Sequence, residues 1–473
     1  MASVFAVDVV VMAAGKGTRM KSRLPKVLHR IGGRALLQHV LDTAAALQAR
    51  RVVVVTGHGA EQVEAGVKVR EPDAALQFVR QEPQLGTGHA VQQAVPRLSD
   101  DGVVVVLSGD VPLIQADTLR ALIAASGGDK LALLTIAFDD PTGYGRIVRD
   151  AGGMVRAIVE QKDASEEQRR IREVYSGILA APAKLLKTWL TRLDNRNAQG
   201  EYYLTDVVKL AVADGVSVVA LPTDDAAQVA GVNSPLQLAE LERAYQLRIA
   251  RGLLEQGVRL ADPARLDVRG ELRCAQDVEI DVGCVFTGQV ELGEGVRIGP
   301  HCVIGNARIA AGAVIHAYTH IEGGASDGER VEVGAGALIG PYARLRPGAK
   351  LGDEVHIGNF VEVKNSTLAV GAKANHLAYL GDAQVGARVN YGAGSITANY
   401  DGANKHRTVI EDDVHIGSNC VLIAPVTIGA GGTVGGGSTI SKNTAPGALT
   451  VGRARQMSVP DWTRPSKNVA KKP

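Results

Sequence analysis

Between positions 333 and 363 a branched or aliphatic residue returns at every sixth position without a miss: Val333, Ile339, Leu345, Leu351, Ile357 and Val363. Gly334, Gly340, Gly352 and Gly358 follow four of the six, and Ala337, Ala343, Ala349, Val355 and Val361 stand four residues after successive leading positions. A helix repeats near 3.6 residues and an ordinary strand near 2, so a strict period of six fits neither. It fits a parallel β-helix of hexapeptides, each unit one short strand and a turn. The leading aliphatic then points inward, the glycine permits the turn, and the second small residue fills the narrow interior.

The register recurs at Leu292, Ile298 and Ile304, after a slip at Ile309, Ile315 and Ile321, and in a second unbroken run from Ile410 through Ile416, Leu422, Ile428 and Val434 to Ile440. A solenoid is therefore predicted over residues 265–452. Two breaks are expected, one between Val363 and Val385 and one between Thr397 and Ile410. Departures from register in repeat proteins tend to fall on the functional face.

A chain of 473 residues suggests about three domains, a count softened because solenoids grow without a single core. A net charge of +2 gives no electrostatic reason to expect nucleic acid or a membrane surface. No apolar run reaches the roughly 18 residues of a membrane span. The N-terminus enters a strand without a basic stretch or a cleavage site, which predicts no secretion signal. Cys284, Cys302 and Cys420 each fall four residues after a leading aliphatic, where the tube needs something small, and no CxxC pair suggests metal. Reduced interior thiols point to a cytoplasmic protein.

The first part of the chain reads differently. Residues 6–12, apolar except for Asp8, are predicted as a buried parallel strand, followed by Ala13-Ala-Gly-Lys-Gly-Thr-Arg-Met20. This is neither a Walker loop nor a dinucleotide fingerprint. Small residues after a strand still let backbone N–H groups close on phosphates, with Lys16, Arg19 and Lys26 adding charge. A helix is expected over 34–49, with strands at 52–56, 76–79 and 103–107, the last running into Ser108-Gly-Asp110. Such alternation predicts a doubly wound, Rossmann-like α/β domain of parallel strands whose carboxyl ends carry the ligand. Asp110 stands at such an end, where a carboxylate beside a phosphate loop suits Mg2+. A helical stripe over 236–256 is predicted to connect residues 1–235 with the solenoid domain of residues 257–473.

Ala13-Ala-Gly-Lys-Gly-Thr-Arg-Met20, Pro25-Lys26-Val27-Leu28 and Gly109-Asp110 resemble a sugar-1-phosphate nucleotidyltransferase. Gln84-Leu-Gly-Thr-Gly-His89, Asp140-Pro-Thr-Gly-Tyr-Gly-Arg146, Glu160-Gln-Lys-Asp163, Asn197-Ala-Gln-Gly-Glu-Tyr-Tyr203 and Gly231-Val-Asn233 narrow this. With the solenoid behind them, the chain resembles the bifunctional bacterial N-acetylglucosamine-1-phosphate uridyltransferase / glucosamine-1-phosphate N-acetyltransferase family over nearly its whole length. That resemblance implies a left-handed coil, a homotrimer, and two reactions serving cell-wall and lipopolysaccharide precursors. Acetyl-CoA acetylates glucosamine-1-phosphate, and UTP then uridylylates the product and releases pyrophosphate. It implies nucleotide and sugar contacts at Met12, Ala13, Ala14, Gly15, Lys26, Gln81, Gly86, Thr87, Ser108, Gly109, Gly145, Glu160 and Tyr175, catalytic charge from Arg19 and Lys26, and Mg2+ on Asp110 and Asn233. Tyr175 stands where the family usually has asparagine.

Polar residues fill the register breaks of the solenoid. Basic side chains near a histidine suit a phosphorylated amino sugar, because the attacking amine must be neutral and an imidazole takes its proton at neutral pH. The resemblance gives His376 that role. It assigns Arg346, Lys364, Tyr379 and Asn390 to glucosamine phosphate, and Ala393, Asn399, Tyr400, Ser418, Gly436 and Arg453 to acetyl-CoA. His356 and His415 are expected to face outward, and His316 and His320 are not expected to bind zinc. Two narrower readings remain distinct: a nucleotidyltransferase whose solenoid only assembles or regulates, which would release no CoA, and a non-enzymatic scaffold, which would tolerate loss of His376 and Asp110.

Overall fold

The computed structural model describes residues 5–67 and 76–465. The chain divides into two compact units, Met1–Ile249 and Ala250–Pro473. The chain after Thr450 is exposed as far as it is described, and residues 466–473 lie outside the described residues.

In the first unit the valine-rich runs become the middle of a mixed sheet. Its order is Val218–Pro222, Leu131–Ala137, Glu173–Pro182, Val103–Ser108, Val7–Ala13, Arg51–Thr56, Leu76–Arg80, with Arg146–Arg149 and Val155–Val159 attached as a hairpin. Alternate residues of one strand serve two cores. Val9 and Val11 pack with Leu37, Val40, Leu119 and Leu122 on one face, and Val10 with Val91, Leu186, Trp189 and Val207 on the other. After Leu76–Arg80 the chain returns to the far side of Val7–Ala13, so strand order reverses between Val7–Ala13 and Val103–Ser108. A crevice opens at the carboxyl ends of strands at such a reversal.

Two expectations need correction here. Glu173–Pro182 lies antiparallel to both of its neighbours, so the sheet is not purely parallel. The helix predicted over 34–49 is Leu36–Ala46, because Arg34–Ala35 pairs with Arg30–Ile31 and delays its start. A longer helix runs Pro235–Glu255. Its Leu241 joins Met20, Ile31, Leu36, Leu113 and Val232 in a small third core, and Tyr245 meets His39 edge-on at 5.2 Å.

The second unit is the hexapeptide tube. One eleven-stranded sheet and a sixteen-stranded sheet, split lengthwise beyond Val303–Ile309, make three parallel-stranded walls. Every leading residue from Val333 to Val363 is buried, as are Ala337, Ala343, Ala349, Val355 and Val361. Cys284, Cys302 and Cys420 are buried free thiols. Register measures the coil: Leu338 pairs with His356, eighteen residues on, but His356 pairs with Lys373 and Lys373 with Asn390, each seventeen on.

The expected break between Val363 and Val385 is thus no excursion. Leu368, Ala374 and Leu380 are buried and the walls continue, with steps of five residues replacing six at two turns. Between Ile396–Ala398 and Thr408–Ile410 the chain does leave the tube, and a shorter excursion with a turn at Asp327–Glu329 follows Ile321. One corner carries a feature absent from the expectation. His301, Tyr318, Tyr342 and Phe360 stack in sequence at 5.2, 5.1 and 5.3 Å, the two tyrosine rings 3° from parallel.

Candidate active sites

The crevice at the sheet reversal is a cavity of about 300 Å³. Ten of the expected residues line it: Met12, Ala13, Ala14, Gly15, Lys26, Gln81, Gly86, Thr87, Ser108 and Asp110. Local hydrogen bonds explain their convergence. Gly109 N–H donates to Met12 O at 2.9 Å, His58 N–H to Ala14 O at 3.2 Å, and Gln81 N–H to Thr56 O at 2.8 Å. Gln81 Nε2 then donates to Gly86 O at 2.9 Å. Gly86 has φ 108°, and a Cβ there would sit 2.7 Å from Tyr202 O, so both conformation and space require glycine. Gln84 and Glu201 also line the cavity and were not singled out from sequence, although both stand inside the quoted motifs. Arg19 is exposed on the turn Thr18–Met20 and is not among the lining residues.

The expected metal ligands meet at one cation. Lys26 Nζ donates to Asp110 Oδ2 at 2.5 Å and to Asn233 Oδ1 at 3.1 Å. Val232 N–H donates to Asp110 O at 2.9 Å, tying the two loops together through the main chain. A carboxylate oxygen and an amide oxygen converging on a positive centre beside a phosphate-sized cavity form a donor set that fits Mg2+, which takes one or two such ligands and leaves the rest to phosphate and water.

The expected sugar residues also come together. Tyr175 N–H donates to Gly145 O at 2.9 Å, and a Cβ on Gly145 would lie 3.6 Å from Glu160 Oε1. Burial raises the Glu160 carboxyl above its ordinary value, while the Thr205 hydroxyl, 3.0 Å away, pulls the other way. Glu160 opens on a second cavity of about 310 Å³ with Asp163, Asn197 and Tyr203. Tyr175 differs from the rest. Its ring joins the core with Ile147, Ile158 and Leu179, and its buried hydroxyl has no hydrogen-bond partner among the described residues. Burial, and then Glu160, push its phenol far above the usual tyrosine value.

In the tube, coil register assembles residues far apart in sequence. Asn359 pairs with His376, Gly394 N–H donates to His376 O, Asn419 N–H to Ala393 O, and Gly437 N–H to Ser418 O. Asn359, His376, Ala393, Ser418 and Gly436 therefore climb one corner, a coil apart, directly beside the aromatic stack. His376 is exposed, and its Nδ1 lies 3.0 Å from Asn359 Oδ1. An amide oxygen can only accept, so in the neutral ring this contact favours the tautomer with the proton on Nδ1 and Nε2 as the acceptor. Asn359 was not anticipated; its signal is the one-coil spacing of seventeen residues, which needs the shortened step to be known.

The wall following that corner carries the cations. Arg346 Nη1 bonds Glu362 Oε1 at 2.8 Å, and Glu362 pairs with Tyr379 across the next coil. The Lys405 ammonium beside Lys364 pulls it below its ordinary value, with burial adding to the effect. Two ammonium groups this close repel, and an anion between them would relieve that repulsion. Lys405 comes from the excursion after Ala398, where Asp401 accepts from Ala403 and Asn404 N–H and meets His406 Nε2 at 2.7 Å. Asn399 turns toward the tube and donates to Asp382, whose other oxygen takes Asn365. Tyr400 is exposed and bonds Gly402 O, Asn390 is exposed three residues before Ala393, and Arg453 is exposed beyond the last strand. His415 is exposed and His356 partly so, and no cluster of three potential metal ligands occurs among the described residues.

Comparison with known proteins agrees with both halves. The MobA-like NTP transferase domain matches residues 9–182, and the bacterial transferase hexapeptide family matches residues 330–365 and 407–442. "Bifunctional protein GlmU" of Albidiferax ferrireducens is 76% identical over 464 residues, spanning 97% of this chain and 100% of that protein. The proteins of the same name from Paracidovorax citrulli and Acidovorax ebreus are 72% and 70% identical, each alignment covering 98% of this chain and 99% of the relative. A phosphate-loop crevice, a hexapeptide tube bearing a histidine corner, and identity at this level from end to end lead to one conclusion: the chain belongs to the bifunctional GlmU family.

Proposed function

We propose that the chain makes UDP-N-acetylglucosamine by two group transfers, each carried by its own unit. In the tube, the amine of glucosamine-1-phosphate attacks the thioester carbonyl of acetyl-CoA. The new C–N bond forms, the C–S bond breaks, the amine's proton passes to His376 Nε2, and CoA leaves as thiolate. Asn359 holds the tautomer that makes this possible. Arg346, Lys364 and Lys405 hold the sugar phosphate, with Tyr379 and Asn390 beside it, and Ala393, Asn399, Tyr400, Ser418, Gly436 and Arg453 line the path of the CoA. A positioned base of this kind is worth roughly 10²–10⁴-fold.

In the crevice, a phosphate oxygen of N-acetylglucosamine-1-phosphate attacks the α-phosphorus of UTP and pyrophosphate leaves. Such transfers depend on alignment and charge neutralisation, with no side-chain nucleophile. The loop from Met12 to Gly15 with Gln81, Gly86 and Thr87 holds the nucleotide. Gly145, Glu160 and the Tyr175 strand hold the sugar, Lys26 faces the phosphates, and Arg19, exposed on the loop outside the cavity lining, adds positive charge near its mouth. Mg2+, when held by Asp110 and Asn233, supplies further positive charge at those phosphates. We take the active assembly to be a cytoplasmic homotrimer of left-handed coils; sedimentation at three chain masses is the expected result, and a monomer would contradict it.

The observations that carry the acetyl-transfer half are the His376–Asn359 pair at one corner and the Lys364–Lys405 pair on the wall that follows it. The test is purified protein with glucosamine-1-phosphate and acetyl-CoA. Free CoA is expected, along with its loss in His376→Ala; an unreactive protein would leave only the uridyltransferase.

A further inference from the structure

The proposed metal seat is held together without help from Lys26. Val232 N–H donates to Asp110 O, which brings the two loops together through the main chain, and Gln237 Oε1 accepts from Asn233 N–H at 2.9 Å, which fixes the second loop locally. Lys26 nevertheless reaches both oxygens with one ammonium, and this partly buried pair shows only 14% and 18% side-chain exposure for Lys26 and Asp110. The stem of Lys26 passes against Gly17 of the phosphate loop. A Cβ on that glycine, which has φ 58°, would stand 2.6 Å from Lys26 Cβ. Lys26 also lines the nucleotide cavity. Its head is therefore in the ion seat while its stem borders the space for phosphates.

We propose that Lys26 is the resident cation of the Asp110–Asn233 seat in the nucleotide-free protein. A divalent ion must displace its ammonium, which then turns to the nucleotide phosphates. This rests on the reading that Asp110 and Asn233 are the metal ligands. The physical reason is exclusion. A divalent ion binds such oxygens at about 2.0–2.1 Å, and an ammonium donating to the same two oxygens cannot remain beside it against like-charge repulsion. Phosphate oxygens are the new acceptors that compensate the loss. Metal and nucleotide consequently bind with positive coupling, and by linkage each strengthens the other by the same factor. The arrangement keeps Asp110 paired when no nucleotide is present and makes the bare protein a poor binder of free divalent ions.

The test is direct titration of the full chain with Mn2+, free ion read by electron paramagnetic resonance, without nucleotide. Wild type is compared with Lys26→Met, Lys26→Gln and Asp110→Asn. Both Lys26 variants are expected to bind Mn2+ about tenfold more tightly than wild type, equivalent to about 1.4 kcal/mol, and Asp110→Asn to lose the site. If Asp110→Asn loses the site but both Lys26 variants match wild type, Lys26 is no resident cation, and the proposal fails while the metal reading stands. If Asp110→Asn binds as wild type does, the metal reading itself fails and the proposal with it.

Discussion

At the residue scale, one hydrogen bond decides how the histidine of the tube can act. With Asn359 Oδ1 accepting from Nδ1, the neutral ring of His376 keeps Nε2 as its acceptor. Asn359→Ala frees the ring to turn and to change tautomer. We expect kcat for CoA release to fall about tenfold, part of the roughly 10²–10⁴-fold a general base supplies, with pyrophosphate release unchanged; equal loss in both assays would show a folding defect instead. His39 is set by its surroundings in another way. It is buried, bonded through Nε2 to Ile31 O at 2.8 Å, and burial lowers its pKa below the ordinary 6.5. The unfolded chain therefore takes up a proton near pH 6.5 that the folded chain refuses. Its contribution to stability is complete above that pH and is lost as the pH falls below it, by at most about 1.4 kcal/mol per pH unit. Glu160, raised by burial, works with the opposite sign. Urea midpoints at pH 7.5 and 5.5 should accordingly fall less in His39→Gln than in wild type.

At the scale of elements, the excursion after Ala398 is a small device for delivering Lys405. Its conformation hangs on Asp401, whose carboxyl the Asn404 N–H, and then His406, hold far below the usual range. Asp401→Ala should loosen the loop and raise KM for glucosamine-1-phosphate several-fold while kcat stays within about twofold, the pattern of lost uniform binding. A fall in kcat alone would mean that the loop touches the reacting amine. The tube itself was readable because its interior accepts only aliphatic and small side chains in strict alternation with turns, so Val333 through Val363 imprint the period. The five-residue steps around Leu368 and Val385 were not readable as continuation, since one deleted turn residue shifts every later leading position. The antiparallel run of Glu173–Pro182 left no trace either. A strand buried on both faces is apolar throughout, and the direction of its hydrogen bonds is not written in its side chains. The aromatic stack had a signal that went unused, an aromatic or histidine three residues after Ile298, Ile315, Ile339 and Ile357.

For the whole molecule, the two sites belong to separate compact units, and their chemistry has different requirements. On the proposed reading, phosphoryl transfer needs the charge of the phosphates neutralised beside Asp110 and Asn233, whereas acyl transfer needs a proton acceptor at His376 and cations at Lys364 and Lys405. Ten of the nucleotide-site residues were legible from sequence because they cluster in short motifs at strand ends. In the corner column, His376, Ala393, Ser418 and Gly436 were named only through the resemblance and Asn359 not at all, because the five are neighbours only through coil register. That difference leads to a prediction about independence. Mutations at distant sites with no shared partners act additively to within about 0.5 kcal/mol. Removing divalent ions with EDTA should abolish pyrophosphate release from UTP and N-acetylglucosamine-1-phosphate, yet leave CoA release within about twofold of its rate, the same margin expressed as a ratio. His376→Ala should do the reverse. Supplying N-acetylglucosamine-1-phosphate to His376→Ala with Mg2+ should restore UDP-N-acetylglucosamine in full. A chelator that stops CoA release would place a metal in the tube, against the donor chemistry of its corner.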